Sequence, residues 1–312
     1  MRDKPLVITH RNCFDGVTAA WAFKQFRGEE FDWWQSNFGD KFEDLPDTRG
    51  RVVYMADISF PRDVMIDRII LPSKRVVVLD HHKTAEAELD GIIKHIRETR
   101  NVNRTGDEIV FDMYRSGAGI MWDYLELEHG RKRGFHSPRP LGERDNWLVN
   151  AVEDRDIWKF KYPDTREIIA YLATLPMTLE VWDEAFALGR DKVAARGQSI
   201  VQYIEMFGDK ACKTAKIETV AGFEVPTVNI LYMNCSDHLH LLQEQNPDAE
   251  FVVGYFRRSD GKWQISFRSV GDFDVSAIAK QFGGGGHRNA AGAQSEELPW
   301  ETKTPEKTVI LE

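Results

Sequence analysis

Cysteine is scarce in this chain. The 312 residues hold three, Cys13, Cys212 and Cys235, which lie far apart and form no CxxC pair. That spacing argues against a disulfide framework and against a structural zinc site built on thiolates. Long apolar runs are missing as well. None approaches the roughly 18 residues that a membrane span requires, and the opening MRDKPLVITH has no signal-peptide core. Positive charge is in deficit, with 41 lysines and arginines against 50 acids and a formal charge of −9. A chain so balanced is ill suited to track a long DNA duplex, which calls for a basic face. Low-complexity linkers and internal repeats are absent too. The expectation is a soluble cytoplasmic protein with no membrane and no long duplex DNA among its partners. A small anionic ligand, held by a local positive pocket or by cations, stays open.

Hydrophobic residues make up 42% of the chain and tryptophans number nine, enough for a sizeable core. Three short, continuously apolar runs occupy the first part of the chain: PLVITH (5–10), RVVYMAD (51–57) and RVVVLDHH (75–82). Such runs suit strands of a parallel sheet buried on both faces. Helical stretches separate them. Ala19, Ala22, Phe23 and Phe26 fall at i, i+3, i+4 and i+7, and Pro61 stands where a second helix would start. This alternation predicts a doubly wound sheet. From about 84 to 212 the pattern is mostly helical, with a hairpin expected around VNRTGDEIVFDMYR. β character returns beyond 216, where SDGK reads as a hairpin turn. The expected organisation is α/β: an N-terminal doubly wound parallel-sheet domain over 1–190, a helical connector over 191–216 and a smaller C-terminal α+β domain over 217–312.

Each early strand ends in side chains able to bind metals. They are His10 with Asp15 just beyond it, then Asp57, then Asp80, His81 and His82. In a parallel sheet all carboxyl ends open on one edge, so residues far apart in sequence converge there. One strand-end acid is ordinary and often caps the next helix. Three strands ending this way are not ordinary. Carboxylates with imidazoles suit Mn²⁺ or Mg²⁺, and neighbouring acids repel one another unless cations neutralise them. A further carboxylate lies in NAVEDRDIWKF. On a helix Trp147, Ala151 and Asp154 share a face, so Asp154 points inward. Its partner is either a metal or a salt bridge with Arg155 or Arg144.

In this order, THRNCFDGVTAA, MADIS, LDHHK and VEDRD resemble the four motifs of the DHH phosphoesterase superfamily. ISFRSVGDFDVSAIAKQFGGGGHRNAAGA is similar to that superfamily's DHHA1 substrate-binding domain. The resemblance implies a DHH catalytic domain, a DHHA1 domain and two divalent cations bridged by water or hydroxide, Mn²⁺ in most relatives with Mg²⁺ as the alternative. Carried over by position, His10 and Asp15 are ligands from the first motif, Asp57 bridges both ions, His81 ligates one and Asp154 completes that site. His82 then faces the scissile phosphate, and Asp80 orients an imidazole from behind. One position departs from the pattern. Many members have two acids separated by one residue in the first motif, and Cys13 stands where the first would be, followed by Phe14 where relatives with a cysteine often have proline. Cys13 is then a soft ligand, a spectator or the cause of an under-coordinated metal; a small buried thiol is the commonest role of this residue type, so Cys13 is not counted among the ligands.

Val275, Ile278, Ala279 and Phe282 make a helical stripe that stops at Gly283. Beyond it, Gly284, Gly285 and Gly286 would let backbone N–H groups cradle a phosphate, with His287 and Arg288 beside it. The small residues of NAAGA point to close packing there. Arg268 in SFRS is a further positive group for this pocket. Arg115 and Ser116, ahead of a helix, would add an N-terminal anion site, and Ser116 serves equally well as an N-cap. The function expected is metal-dependent hydrolysis of phosphodiester bonds in short oligonucleotides or small nucleotides. The alternatives are a phosphatase of bisphosphonucleotides or polyphosphate, and a non-catalytic nucleotide sensor in which Cys13 weakens one metal site. A homodimer is compatible with each of these.

Overall fold

Alternating apolar runs and amphipathic stretches fold as their periods demand. The computed structural model describes residues 4–298 and 300, apart from 38, 39, 103, 105, 130–141, 232 and the side chain of His287. The chain divides into two compact units, Met1–Val201 and Gln202–Glu312.

The first unit is built on five parallel strands: β1 (Leu6–His10), β2 (Asp32–Ser36), β3 (Val52–Ala56), β4 (Arg75–Asp80) and β5 (Glu108–Phe111). Its helices are α1 (Phe14–Arg27), α2 (Arg62–Val64, prolonged as a π-turn over Met65–Ile70), α3 (Lys83–Leu89), α4 (Ile92–Arg100), α5 (Gly117–Glu128), α6 (Trp147–Asp156), α7 (Thr165–Leu172) and α8 (Leu179–Leu188). A long α9 (Arg190–Cys212) runs across the boundary between the units. The strand order is β2-β1-β3-β4-β5, so the winding reverses between β1 and β3. A ligand crevice forms at the carboxyl ends of the strands where that reversal occurs.

The period-2 geometry of a strand sorts the apolar runs onto two faces. Val7, Tyr54, Ala56, Val77 and Leu79 pack into one core with α1, α5, α6, α7 and α8. Leu6, Ile8, Val53, Met55, Val76 and Val78 pack into another with residues from α2, α3 and α4. Burial on both faces explains why these strands read as unbroken apolar runs. The strand β2 has no such run. It lies at the sheet edge and pairs with β1 alone, its Trp33 indole donating to Thr9 Oγ1 at 2.9 Å. The hairpin expected around 102–115 is corrected. β5 pairs with β4 in parallel, and the turn residues before it join helix α4 to a strand.

One buried charge network ties α5 to α6. The Arg144 guanidinium donates to both oxygens of Asp123 at 3.0 Å and to Glu153 Oε1 at 2.6 Å. Arg115 donates to Asp123 at 2.5 Å, and Glu153 Oε2 accepts from the Ser116 amide at 3.2 Å. Removing one member leaves buried carboxylates uncompensated, so Arg144→Ala should destabilise the fold by about 3–5 kcal/mol. Urea unfolding measures this, and a loss under about 1 kcal/mol would mean the network is dispensable.

The second unit holds a six-stranded sheet in the order β10-β11-β9-β8-β7-β6. Its strands are β6 (Lys216–Val220), β7 (Phe223–Asn229), β8 (Val252–Arg257), β9 (Trp263–Arg268), β10 (Gly285–His287) and β11 (Ala290–Ser295), with α10 (Cys235–Gln245) and α11 (Val275–Gln281). Among the described residues of this sheet only β7 and β8 are parallel neighbours. The β8–β9 hairpin turns at SDGK, where the Arg258 amide donates to the Lys262 carbonyl at 2.8 Å. One core packs α11 against β9 and β11, and a smaller one holds α10. Among the described residues no helix is long and apolar enough to cross a membrane.

Candidate metal centre

The site grows out of the strand register. Thr9 pairs with Ala56 and Ala56 with Leu79, so His10, Asp57 and Asp80 form the next rung at the carboxyl edge. The Asp57 amide still donates to the Leu79 carbonyl at 3.2 Å, and then its backbone turns left-handed at φ 58°. A non-glycine residue there stores roughly 1–3 kcal/mol of strain, which the surrounding ladder must hold. Gly117, at the start of α5, permits a close approach to this residue. A Cβ at that position would lie 2.7 Å from the Asp57 amide nitrogen and 2.8 Å from Asp15 Oδ2.

Among the described residues three sets of donor atoms converge on this edge, each within 4.8 Å: His10, Cys13 and Asp57; Asp57, His81 and His82; Asp15, His81 and Asp156. Asp57 joins the first two sets and His81 the last two. His81 Nε2 lies 3.2 Å from Asp57 Oδ1 and 3.5 Å from Asp156 Oδ2, while His10 Nδ1 is 3.7 Å from Asp57 Oδ2. Behind them, fully buried Asp80 Oδ1 accepts from the His81 amide at 2.7 Å and meets His82 Nδ1 at 2.7 Å. Oδ2 of Asp57 and Oδ2 of Asp156 are enclosed without a hydrogen bond. Buried polar atoms are normally paired, so a cation fits these residues as the missing partner.

The electrostatics agree with that fit. Burial, then the charges of Asp156 and Asp57, push the Asp15 carboxyl well above the ordinary range. Burial also lifts Asp156 to about 6, with His81 opposing and Asp57 adding to the rise. Burial would raise Asp57 too, but the imidazoles of His10 and His81 hold it below the usual carboxylate range. Burial disfavours imidazolium at His81, yet Asp156, Asp57 and Asp15 outweigh it and lift His81 to about 10. Several acids share one dry edge, and burial with mutual repulsion raises Asp15 and Asp156 there for want of positive charge.

His10, Asp15, Asp57, Asp80, His81 and His82 are all brought to this edge. Asp154 is not. It points inward as its helical phase requires, but its carboxylate accepts from the Lys161 amide at 2.8 Å, the Tyr162 amide at 3.0 Å and Thr165 Oγ1 at 2.7 Å. Those three donors satisfy it, and Asp156 at the end of α6 reaches the cluster instead. Its signal was an acid in the last helical turn, where the macrodipole disfavours one. Cys13 also joins the edge, half-buried, its thiol pushed well above the ordinary range by burial and by Asp57, Asp156 and Asp15.

The anion site expected at Arg115 and Ser116 is corrected as well. The N-terminus of α5 does bind an anion, but it is the chain's own Asp15, accepting from the Gly117 amide at 2.6 Å and the Ala118 amide at 2.9 Å. Ser116 caps α5 through Gly119, and Arg115 is buried against Asp123. In the second unit Gly284–286 lead into and form most of β10. Cβ atoms at Gly284 and Gly286 would clash with the backbone of β11, so close strand packing accounts for those two. His287, Ala290 and Arg268 stand on one cross-strand row. The His287 side chain lies outside the described residues. Arg268 donates to Ser236 Oγ at 2.6 Å, and exposed Arg288 pairs with Asp272 at 3.0 Å.

Residues 235–307 match the family model described as the DHHA1 domain. An uncharacterised protein of Acanthamoeba polyphaga mimivirus is 32% identical over 270 residues, covering 82% of this chain and 55% of the relative. The cyclic-di-AMP phosphodiesterase GdpP of Geobacillus thermodenitrificans is 24% identical over 264 residues, covering 80% of this chain and 34% of the relative. The chain thus spans about half or less of these curated relatives. Among solved structures, an exopolyphosphatase-related protein from Bacteroides fragilis superposes with a TM-score of 0.57 at 14% identity, covering 96% of this chain and 88% of the other. That likeness is one of fold.

Proposed function

Because the chain belongs to the DHH/DHHA1 superfamily, we propose that it is a divalent-metal-dependent phosphoesterase acting on phosphodiester bonds of short oligonucleotides or small nucleotides. The observation that carries this reading is the convergence of His10, Asp15, Asp57, His81 and Asp156 around two enclosed carboxylate oxygens that lack a hydrogen bond. Those five side chains would hold the cations. Divalent ions bound there would supply a water of lowered pKa and neutralise phosphate charge, which lets a chain of net charge −9 accept an anion. Asp80 fixes the His82 ring through Nδ1, and His82 would meet the scissile phosphate through Nε2. In the DHHA1 domain, Arg268, Arg288, His287 and the backbone of Gly284, Gly285 and Gly286 are the groups proposed to bind nucleotide.

A panel tests the reading: a dinucleotide, a short RNA, a bisphosphonucleotide, a cyclic dinucleotide, pyrophosphate and polyphosphate, each with Mn²⁺ and with chelator. Chelator-sensitive cleavage of a nucleotide phosphodiester is expected. Cleavage confined to polyphosphate would replace the proposed substrate class, and tight nucleotide binding without turnover would make the protein a sensor.

Cation binding should also show in a pH-dependent stability. In metal-free protein Asp156 and His81 have folded pKa values above their unfolded ones. The folded state therefore binds more protons than the unfolded one, and stability falls as pH rises from about 4 to about 10. A cation replaces those protons, so the rise in Tm on adding Mn²⁺ should be larger at about pH 8 than at about pH 6. Thermal melts at the two pH values measure it; a larger rise at the lower pH would contradict the cluster as the binding site.

A further inference from the structure

We propose that Cys13 is a metal ligand, and that the His10–Cys13–Asp57 set takes a borderline-soft divalent cation such as Zn²⁺, Co²⁺ or Fe²⁺ while the Asp15–His81–Asp156 set takes a hard one. This rests on the reading of the edge as a metal centre and makes its two ends chemically unequal.

The two ordinary roles for Cys13 do not account for it. It is the N-cap of α1, with extended backbone at φ −121° and ψ 133°, yet its side chain makes no capping bond. Ser, Thr, Asp or Asn would cap there and stabilise the helix. It is only half-buried, so apolar packing does not require a thiol either. What it does have is company. Its sulfur, a His10 ring nitrogen and an Asp57 oxygen lie within 4.8 Å of one another. Asp57 is 3% exposed, and its Oδ2, the atom facing His10, has no hydrogen bond.

The donor chemistry then separates the two ends. A thiolate is soft, and with an imidazole it favours Zn²⁺, Co²⁺ and Fe²⁺ over Mn²⁺. Two carboxylates with one imidazole favour Mn²⁺ or Mg²⁺. Asp57 of the first end and His81 of the second meet at 3.2 Å in the middle donor set, and that pair links the ends. One cation should then exchange readily with Mn²⁺ in the medium while the other resists it.

Cobalt(II) titration of the full-length protein, reduced and stripped of metal, reads the sulfur directly. A thiolate on Co²⁺ gives an intense near-ultraviolet charge-transfer band that nitrogen and oxygen donors do not. The wild type should develop this band, and Cys13→Ser should lose it while still binding cobalt in equilibrium dialysis. Serine is a favoured N-cap, so this variant should fold. Its Cd²⁺ affinity should fall about tenfold or more while Mn²⁺ affinity changes less than about threefold. Cobalt should also shield Cys13 from iodoacetamide, as mapped by mass spectrometry, with Cys212 and Cys235 as internal references. Bound cobalt without the band in wild type, a band that survives in Cys13→Ser, or unshielded alkylation would overturn the ligand assignment and leave the metal centre standing. Failure of the wild type to bind any divalent ion would overturn both.

Discussion

Asp57→Asn is expected to lower turnover on the active panel substrate by about a thousandfold or more while the protein stays folded. The size follows from position. Asp57 belongs to two of the three donor sets, with Oδ1 3.2 Å from His81 and Oδ2 3.7 Å from His10. No other side chain can substitute for a carboxylate shared in this way. Asparagine keeps the volume and one carbonyl oxygen but removes the negative charge that would hold cations at this edge. The backbone does not confound the result, because asparagine tolerates the left-handed φ of 58° at this residue at least as well as aspartate. Without metal the variant should melt below wild type at neutral pH. Asp57 is held below its ordinary range, so its ionised form stabilises the fold at every pH above about 4. Turnover, circular dichroism and the number of ions bound by calorimetry read these effects together. A variant within tenfold of wild type and carrying its full ion count would remove Asp57 from the shared position.

The parts of the fold that were legible share one physical property. β1, β3 and β4 are enclosed on both faces, so their sequences run unbroken and apolar over 6–8, 53–56 and 76–79. That signal needs no context. The site inherited its legibility from them, because His10, Asp57, Asp80, His81 and His82 sit where an enclosed run breaks into polar residues. β2 was not legible. An edge strand reading DWWQS has one neighbour and half-buried tryptophans, so neither alternation nor an unbroken apolar run marks it. β5 was misassigned as a hairpin because turn chemistry before a strand does not say whether a helix or a strand precedes the turn. At Asp154 helical phase gave the correct direction and the wrong partner. Which donors fill the space an inward carboxylate enters depends on how 161–165 folds back, and no local pattern carries that. The same holds for Arg115 and Ser116, whose helix N-terminus binds an anion supplied from α1, about a hundred residues away in sequence.

The two aspartates of VEDRD should therefore separate under mutation in opposite ways. Asp156→Asn is expected to lose one bound cation and about a hundredfold to a thousandfold in turnover, with little change in the stability of metal-free protein. The carboxylate it removes is one that burial lifts to about 6, and its ionised form brings the empty site little net support. Asp154→Asn should behave inversely. Its carboxylate accepts from two backbone amides and from Thr165, anchoring the chain after α6 to the start of α7. Asparagine turns one of those acceptors into a donor facing donors, so the fold should lose about 1–3 kcal/mol. Cation stoichiometry should stay at the wild-type value, with affinity changed less than about threefold, since the cluster contacts Asp156 rather than Asp154. Urea unfolding in chelator and calorimetric titration with Mn²⁺ read the two axes independently. The reverse pattern, with ions lost in Asp154→Asn and stability lost in Asp156→Asn, would return the ligand role to Asp154. It would also mean that the loop over 161–165 is not the partner of that inward carboxylate.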